Sequence, residues 1–333
     1  MVTAPAQTAP VPVVVRVLLD PEWAQTGLVR EVRAGLEAVP RRLTPQWLYD
    51  ERGSELFDRI TRLPEYYPTR REREILERHA GDIAVASRAT ALVELGSGSS
   101  EKTRLLLDAF TARGALRWFV PVDVSESTLR RAAADVAAAY PGLAVEAVVA
   151  DFTAHLDQLP HHGRRLVAFL GGTIGNFAPA ARAEFLRAVA HGLEPGEGLL
   201  LGTDLVKSAD RLIAAYDDSE GITEEFIRNA LVVIDRELGA TFDPAAFTYV
   251  PFWDAREQRM DLRLRSTRRQ HVRVPGADLE FDLADGEELH VEISTKFMVD
   301  GVRAELDAAG FDVAEVFTDE AGDFALTLAA RRA

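Results

Sequence analysis

Three short features in the first half of the chain carry the residue types needed to hold a nucleoside. Between an apolar strand, Ala91–Leu95, and a helix lies the turn Gly96-Ser-Gly-Ser-Ser100. Glycines there let backbone approach a ligand closely, because they carry no Cβ and tolerate positive φ. Asp123 closes the next strand, where a carboxylate can accept hydrogen bonds from both hydroxyls of a ribose. Asp151 closes the third, where a side-chain oxygen can take the exocyclic amine of adenine, with Phe152 beside the ring. Taken singly, the turn could be an ordinary strand–helix connection and each acid a solvated strand end or helix cap. In register at three successive strand ends, where open α/β sheets bind their ligands, they point together to a nucleoside. The third glycine of G-x-G-x-x-G is missing, since Glu101 stands in its place. That disfavours a pyrophosphate on the helix N-terminus, and with it a nicotinamide dinucleotide. S-adenosyl-L-methionine is the cofactor that these features fit best.

The elements that must position these residues alternate. Strands at Ala91–Leu95, Arg117–Asp123, Leu143–Val149, Arg165–Leu170 and Leu199–Thr203 are separated by helical stretches at 101–113, 127–139 and 181–193. Ser125 or Ser127 is the expected cap of the second helix. Such alternation predicts a doubly wound, Rossmann-like α/β core with a parallel sheet and helices on both faces. A helix at 302–309 and strands at 313–318 and 324–329 close it. The rest is different in texture. Residues 20–77 are mostly helical, interrupted by Leu63-Pro-Glu-Tyr-Tyr-Pro-Thr-Arg70, whose two prolines predict an extended or turn conformation. Residues 208–238 are helical with a break at 217–221, and four antiparallel strands are expected at 247–252, 258–266, 271–274 and 288–294. The expected organisation is a flexible N-terminal arm (1–17), a core (71–206 plus 296–333), and a smaller α+β substrate-binding domain (18–70 plus 207–295) over the carboxyl ends of the core strands.

Composition narrows the function classes. The chain has 333 residues, no cysteine and a net charge of −15. Without cysteine there are no disulfides, thiolate nucleophiles or cysteine-held metals. The acidic balance argues against a nucleic-acid surface, which needs a basic face. No apolar run approaches the ~18–20 residues of a membrane span, and the N-terminal stretch lacks the pattern of a signal peptide, so a cytoplasmic location is expected. The seven histidines are scattered without metal-ligand spacing, and His161-His162 is expected to be a solvated loop pair.

Five segments together resemble the histidine Nα-methyltransferases of ergothioneine biosynthesis. They are Leu63–Arg70, Glu94-Leu-Gly-Ser-Gly-Ser-Ser-Glu-Lys-Thr103, Pro121-Val-Asp-Val-Ser125, Gly171-Gly-Thr-Ile-Gly-Asn-Phe177 and Glu292-Ile-Ser-Thr-Lys-Phe297. The similarity covers nearly all of the chain after Val15. It implies trimethylation of the α-amino group of L-histidine to hercynine, with S-adenosyl-L-methionine as methyl donor. It also implies roles by position: Gly96, Lys102, Asp123, Asp151 and Phe152 at the cofactor, with Tyr49 close to the methyl. Tyr66, Asn176, Tyr216, Glu292 and Ser294 fall at the histidine, Asn176 on its amino-acid end and Glu292 and Ser294 on its imidazole. Tyr49, Tyr66 and Asn176 are the expected catalytic set, by orienting the amine. An acid and a hydroxyl two residues apart on a strand face the same way, which suits the two nitrogens of an imidazole. Where the family often has methionine before its Arg-x-Arg strand, this chain has Leu262, of similar bulk. The helix at 222–230 also diverges, leaving Phe226 open as a wall residue. A methyltransferase for another amino acid, such as tryptophan, and a non-catalytic ligand-binding protein are the rival expectations. A monomer, with a small molecule as its partner and neither nucleic acid nor membrane, completes the expectation.

Overall fold

The computed structural model describes residues 13–20, 22–98 and 100–333. Thirteen strands are present among them: β1 (Val14–Val17), β2 (Ala91–Leu95), β3 (Trp118–Asp123), β4 (Ala144–Val149), β5 (Arg165–Phe169), β6 (Gly198–Asp204), β7 (Phe247–Asp254), β8 (Arg259–Ser266), β9 (Gln270–Val274), β10 (Leu279–Leu283), β11 (Glu288–Thr295), β12 (Phe311–Thr318) and β13 (Phe324–Arg331). The helices are α1 (Trp23–Glu37), α2 (Glu51–Ile60), α3 (Pro68–Ser87), α4 (Thr103–Ala112), α5 (Glu126–Ala139), α6 (Pro179–Gly192), α7 (Ala209–Tyr216), α8 (Ile222–Leu238) and α9 (Val299–Ala308).

Eight strands form one sheet in the order β1-β4-β3-β2-β5-β6-β13-β12. It is parallel from β1 to β6, and β13 and β12 add antiparallel. Central strands such as β2 and β5 are buried along their whole length because both faces are covered, and apart from Glu94 and Arg165 their residues are apolar. Alternate residues enter different cores: Leu92 and Leu166 pack with α3, α4 and α5, while Val93 and Val167 pack with α6 and α9. From β2 the chain moves to β3 on one side, and β5 later pairs on the other side. The β2/β5 boundary is therefore the switch point at which such sheets open a crevice at their carboxyl ends.

A third apolar cluster gathers residues between Leu28 and Tyr67 with residues between Leu212 and Val291. It holds α1, α2, α7 and α8 around the three-stranded sheet β11-β8-β7 and the β9–β10 hairpin. Strand β10 is an addition to the expected set. Its exposed alternate positions, Glu280 and Asp282, gave its sequence a polar texture.

Several local expectations need correction. Val14–Val17, assigned to a loose arm, runs as a strand parallel to β4, where its β-branched residues suit an edge position; residues 1–12 of that arm lie outside the described residues. Ser125 occupies the cap position of α5 but makes no side-chain cap bond; Asp123 instead accepts from its backbone N–H. The turn expected at 63–70 runs only to Tyr67, which itself lies in the α region (φ −73°, ψ −27°); Pro68 opens α3, where its missing N–H costs nothing. His162 is not simply solvated: it stacks on Trp118 at 3.6 Å and bonds Glu146 at 2.6 Å.

Candidate active site

At the carboxyl end of β2 the chain turns through Gly96 (φ +67°) and Gly98 (φ +48°), conformations that side chains with a Cβ resist. The N–H of Gly96 reaches back to the Val122 carbonyl at 2.8 Å, tying the turn to β3. Asp123 accepts from the Gly98 N–H through one oxygen and the Ser125 N–H through the other, both at 2.9 Å. Burial raises its carboxyl above the ordinary range, and those N–H groups pull the other way. Each oxygen keeps acceptor capacity for a diol. Asp151 accepts from the backbone and hydroxyl of Thr153 through one oxygen. Phe152 is braced edge-on by Phe169 at 5.3 Å and lies where a Cβ on Gly96 would touch it. The Ser97 hydroxyl, inside this turn, is buried without a partner. An orphaned donor among positive-φ glycines and a half-satisfied carboxylate fits a bound nucleoside.

Beside it, at the ends of β5 and β6, a cleft is lined by Tyr49, Tyr66, Asn176, Tyr216, Glu292 and Ser294 together. Five different stretches deliver them. Tyr49 follows a 3-10 turn and precedes Asp50, which caps α2 by accepting from Gly53 at 2.8 Å. Tyr66 sits in the turn before α3, and Tyr216 ends α7. Asn176 ends the 3-10 turn 173–176 after β5, and Glu292 and Ser294 lie on β11. Glu292 follows a bulge: the β8 register slips between His290 and Glu292. The Asn176 amide donates to Glu292 Oε1 at 2.9 Å, and Tyr216 Oη lies 2.9 Å from Ser294 Oγ. Burial pushes Glu292 up to about 7, against the nearby Lys296 charge and the Asn176 bond. Burial, reinforced by acids and neighbouring phenols, holds the Tyr49, Tyr66 and Tyr216 hydroxyls far above their usual range, so they remain donors at neutral pH.

Aromatic faces enclose the cleft. Tyr49 meets Phe57 and Phe226 edge-on at 5.4 and 5.3 Å, and Tyr66 meets Tyr216 at 6.2 Å. Phe226 and Leu262 are both wall residues, which places the divergent helix and the Leu262 position at the site. Gly96, Lys102, Asp123, Asp151 and Phe152 do not line this cleft; they surround the neighbouring strand ends. Lys102 connects the two regions: its ammonium pairs with Glu72, whose Oε1 accepts the Gly171 N–H at 2.7 Å.

Glu72, Asp204 and Lys296 went unassigned from sequence. Asp204 ends β6 as Asp123 ends β3, so the same strand-end pattern pointed to it. Lys296, one residue past the end of β11, continues the alternation of Glu292 and Ser294, a period-two signal inside a segment already singled out.

A doubly wound sheet whose switch point carries a glycine turn and strand-end acids that fit a nucleoside, beside an aromatic cleft, has the architecture of an S-adenosylmethionine-dependent methyltransferase. Residues 28–331 match the family described as histidine-specific, SAM-dependent methyltransferases, and the chain belongs to it. It is 54% identical over 313 residues to a histidine N-alpha-methyltransferase of Mycolicibacterium smegmatis, covering 94% of this chain and 98% of that protein. The figures are the same for a histidine N-alpha-methyltransferase of Mycobacterium tuberculosis. It is also 35% identical over 207 residues to ergothioneine biosynthesis protein 1 of Neurospora crassa, covering 61% of this chain and 24% of that larger protein.

Proposed function

We propose that this protein transfers three methyl groups from S-adenosyl-L-methionine to the α-amino group of L-histidine, giving hercynine for ergothioneine biosynthesis. The observation that carries the substrate assignment is the pairing of Glu292 with Asn176 in the same cleft as the Ser294 and Tyr216 hydroxyls. An acid and a hydroxyl facing one ring suit an imidazole, which has two nitrogens to satisfy. An indole has one N–H and no acceptor, and would leave a buried group unpaired.

S-adenosyl-L-methionine supplies an electrophilic methyl when bound. The residues that would hold it are Gly96 with its turn, Lys102, Asp123, Asp151 and Phe152, with Tyr49 at the methyl side. The protein's task is then positional: an amine lone pair must be held within ~3–3.5 Å of the methyl carbon, in line with the breaking bond. Tyr49 and Tyr66 orient the amine through neutral hydroxyls, and Asn176 fixes the amino-acid end. As methyls accumulate, the growing cation meets the faces of Tyr49, Phe57, Tyr66 and Phe226.

The same proposal divides the chain into a methyltransferase core (71–206 plus 296–333) and a substrate-binding domain (18–70 plus 207–295), in keeping with the separate apolar clusters. It takes the protein as a cytoplasmic monomer, because elements of one chain enclose the cleft. Incubation with cofactor and each amino acid, followed by mass spectrometry, tests the function. Histidine should gain one, two and three methyls; gain on another amino acid with none on histidine would refute the substrate, and cofactor binding without turnover would favour a ligand-binding protein.

A further inference from the structure

Lys296 is fully buried at the base of the cleft, and all three of its N–H bonds are committed. They go to Tyr216 Oη at 2.7 Å, Ser294 Oγ at 2.8 Å and Asp204 Oδ2 at 2.8 Å. Asp204 cannot release it easily, being fixed itself by Lys207 at 2.6 Å and the Tyr67 hydroxyl at 2.9 Å. An ammonium donates and never accepts. Both hydroxyl oxygens therefore accept from Lys296, and they also share one hydrogen across their 2.9 Å contact. Two hydroxyls carry two hydrogens, and one is used between them. The pair is left with one hydrogen and one lone pair; with Tyr216 donating to Ser294, both serine lone pairs are filled and Ser294 has only its hydrogen to give outward.

We propose that Lys296 is a positioning residue that makes the Ser294–Tyr216 pair a hydrogen-bond donor to the substrate ring. The site then holds a neutral imidazole, its N–H on Glu292 and its bare nitrogen on the hydroxyl pair. This rests on L-histidine as substrate. Charge works in the same direction. Two lysines around one aspartate leave that cluster one net positive charge, which repels an imidazolium. Among the described residues, Glu292 is the carboxylate that lines the opposite side. The remaining titratable groups facing the ring position are the phenols of Tyr49 and Tyr66, with Glu72 beyond Tyr66 and Tyr249 behind Glu292; burial keeps those phenols neutral.

The test uses the full-length protein with S-adenosylhomocysteine and L-histidine labelled with 15N in its ring. At pH 6.0 and 8.0, wild-type protein should bind a ring with one protonated and one bare nitrogen. In Lys296→Met the hydroxyls are free to turn and accept, so both nitrogens should carry hydrogen at pH 6.0. Its histidine affinity should be about tenfold weaker at pH 8.0, roughly one hydrogen bond's worth, and closer to wild type at pH 6.0. Lys296→Arg should restore the wild-type spectrum. A doubly protonated ring in wild type at pH 6.0 overturns the proposal, and that spectrum decides even if the methionine variant does not fold. So does a Lys296→Met spectrum identical to wild type. Failure of the histidine assignment looks different: no histidine bound at either pH by wild type that still binds the cofactor product.

Discussion

Asn176 donates to Glu292 at 2.9 Å, so each holds the other in place in the cleft. That pairing makes their individual loss informative. Under the proposed roles, Asn176→Ala or Glu292→Ala removes one charge-assisted contact to the substrate; either change leaves the other member of the pair unsupported. Bonds to charged groups are worth about 1.5–3 kcal/mol, so histidine should bind roughly tenfold to a hundredfold more weakly. Neither residue lies at the glycine turn, and cofactor affinity should stay within about twofold. Calorimetric titration with each ligand separates the two effects; equal weakening of both would count against the assigned roles.

Between elements, the contact that matters most is the 3-10 turn after β5 against the end of β11. Gly175 makes it possible: a Cβ there would lie 2.8 Å from the Thr295 carbonyl oxygen and 3.2 Å from its nitrogen. Both neighbours are backbone, so the strand cannot yield by turning a side chain. Gly175→Ala should push the turn off β11, part Asn176 from Glu292, and destabilise the protein by about 1–3 kcal/mol. Histidine affinity should fall about tenfold or more while the cofactor still binds. Normal histidine affinity in a folded Gly175→Ala protein would mean that the β11 contact does not set the position of Asn176.

For the molecule as a whole, the buried acid of the central sheet sets a pH dependence. Glu94 ends inside the core beneath the glycine turn, where it accepts from the Thr103 and Ser100 hydroxyls. Burial raises its carboxyl to about 7, despite those bonds and the Lys102 charge. Between the usual glutamate range and about pH 7 the folded protein therefore keeps a proton that the unfolded chain has lost. Stability from this group is complete below the unfolded pKa and falls as pH rises through about 7. Glu94→Gln cannot ionise and should lose that component. Urea unfolding at pH 5 and pH 8 should show a decline smaller in the variant by on the order of 2 kcal/mol. Parallel curves for the two proteins would show that Glu94 does not titrate in this window.

The sequence by itself determined the alternating core, the glycine turn with Asp123 and Asp151 at neighbouring strand ends, and the segments that supply the cleft. These are local matters: strand–turn–helix periodicity and strand-end acids are written within about ten residues. Placing the Tyr-Tyr segment, Asn176 and Glu292 near one another depended on resemblance, because contacts between residues 66, 176 and 292 leave no local periodic trace. Asp204 and Lys296 followed patterns already in use, yet neither could be paired with the other from spacing alone. Only the tertiary structure decided that β6 and β11 meet there, that a bulge after His290 sets which side chains of β11 face the cleft, and that one ammonium serves two hydroxyls. Burial is the physical reason. A lysine and an aspartate are ordinary surface residues in a sequence, and they become a hydrogen-bond director only where folding removes water and leaves them each other.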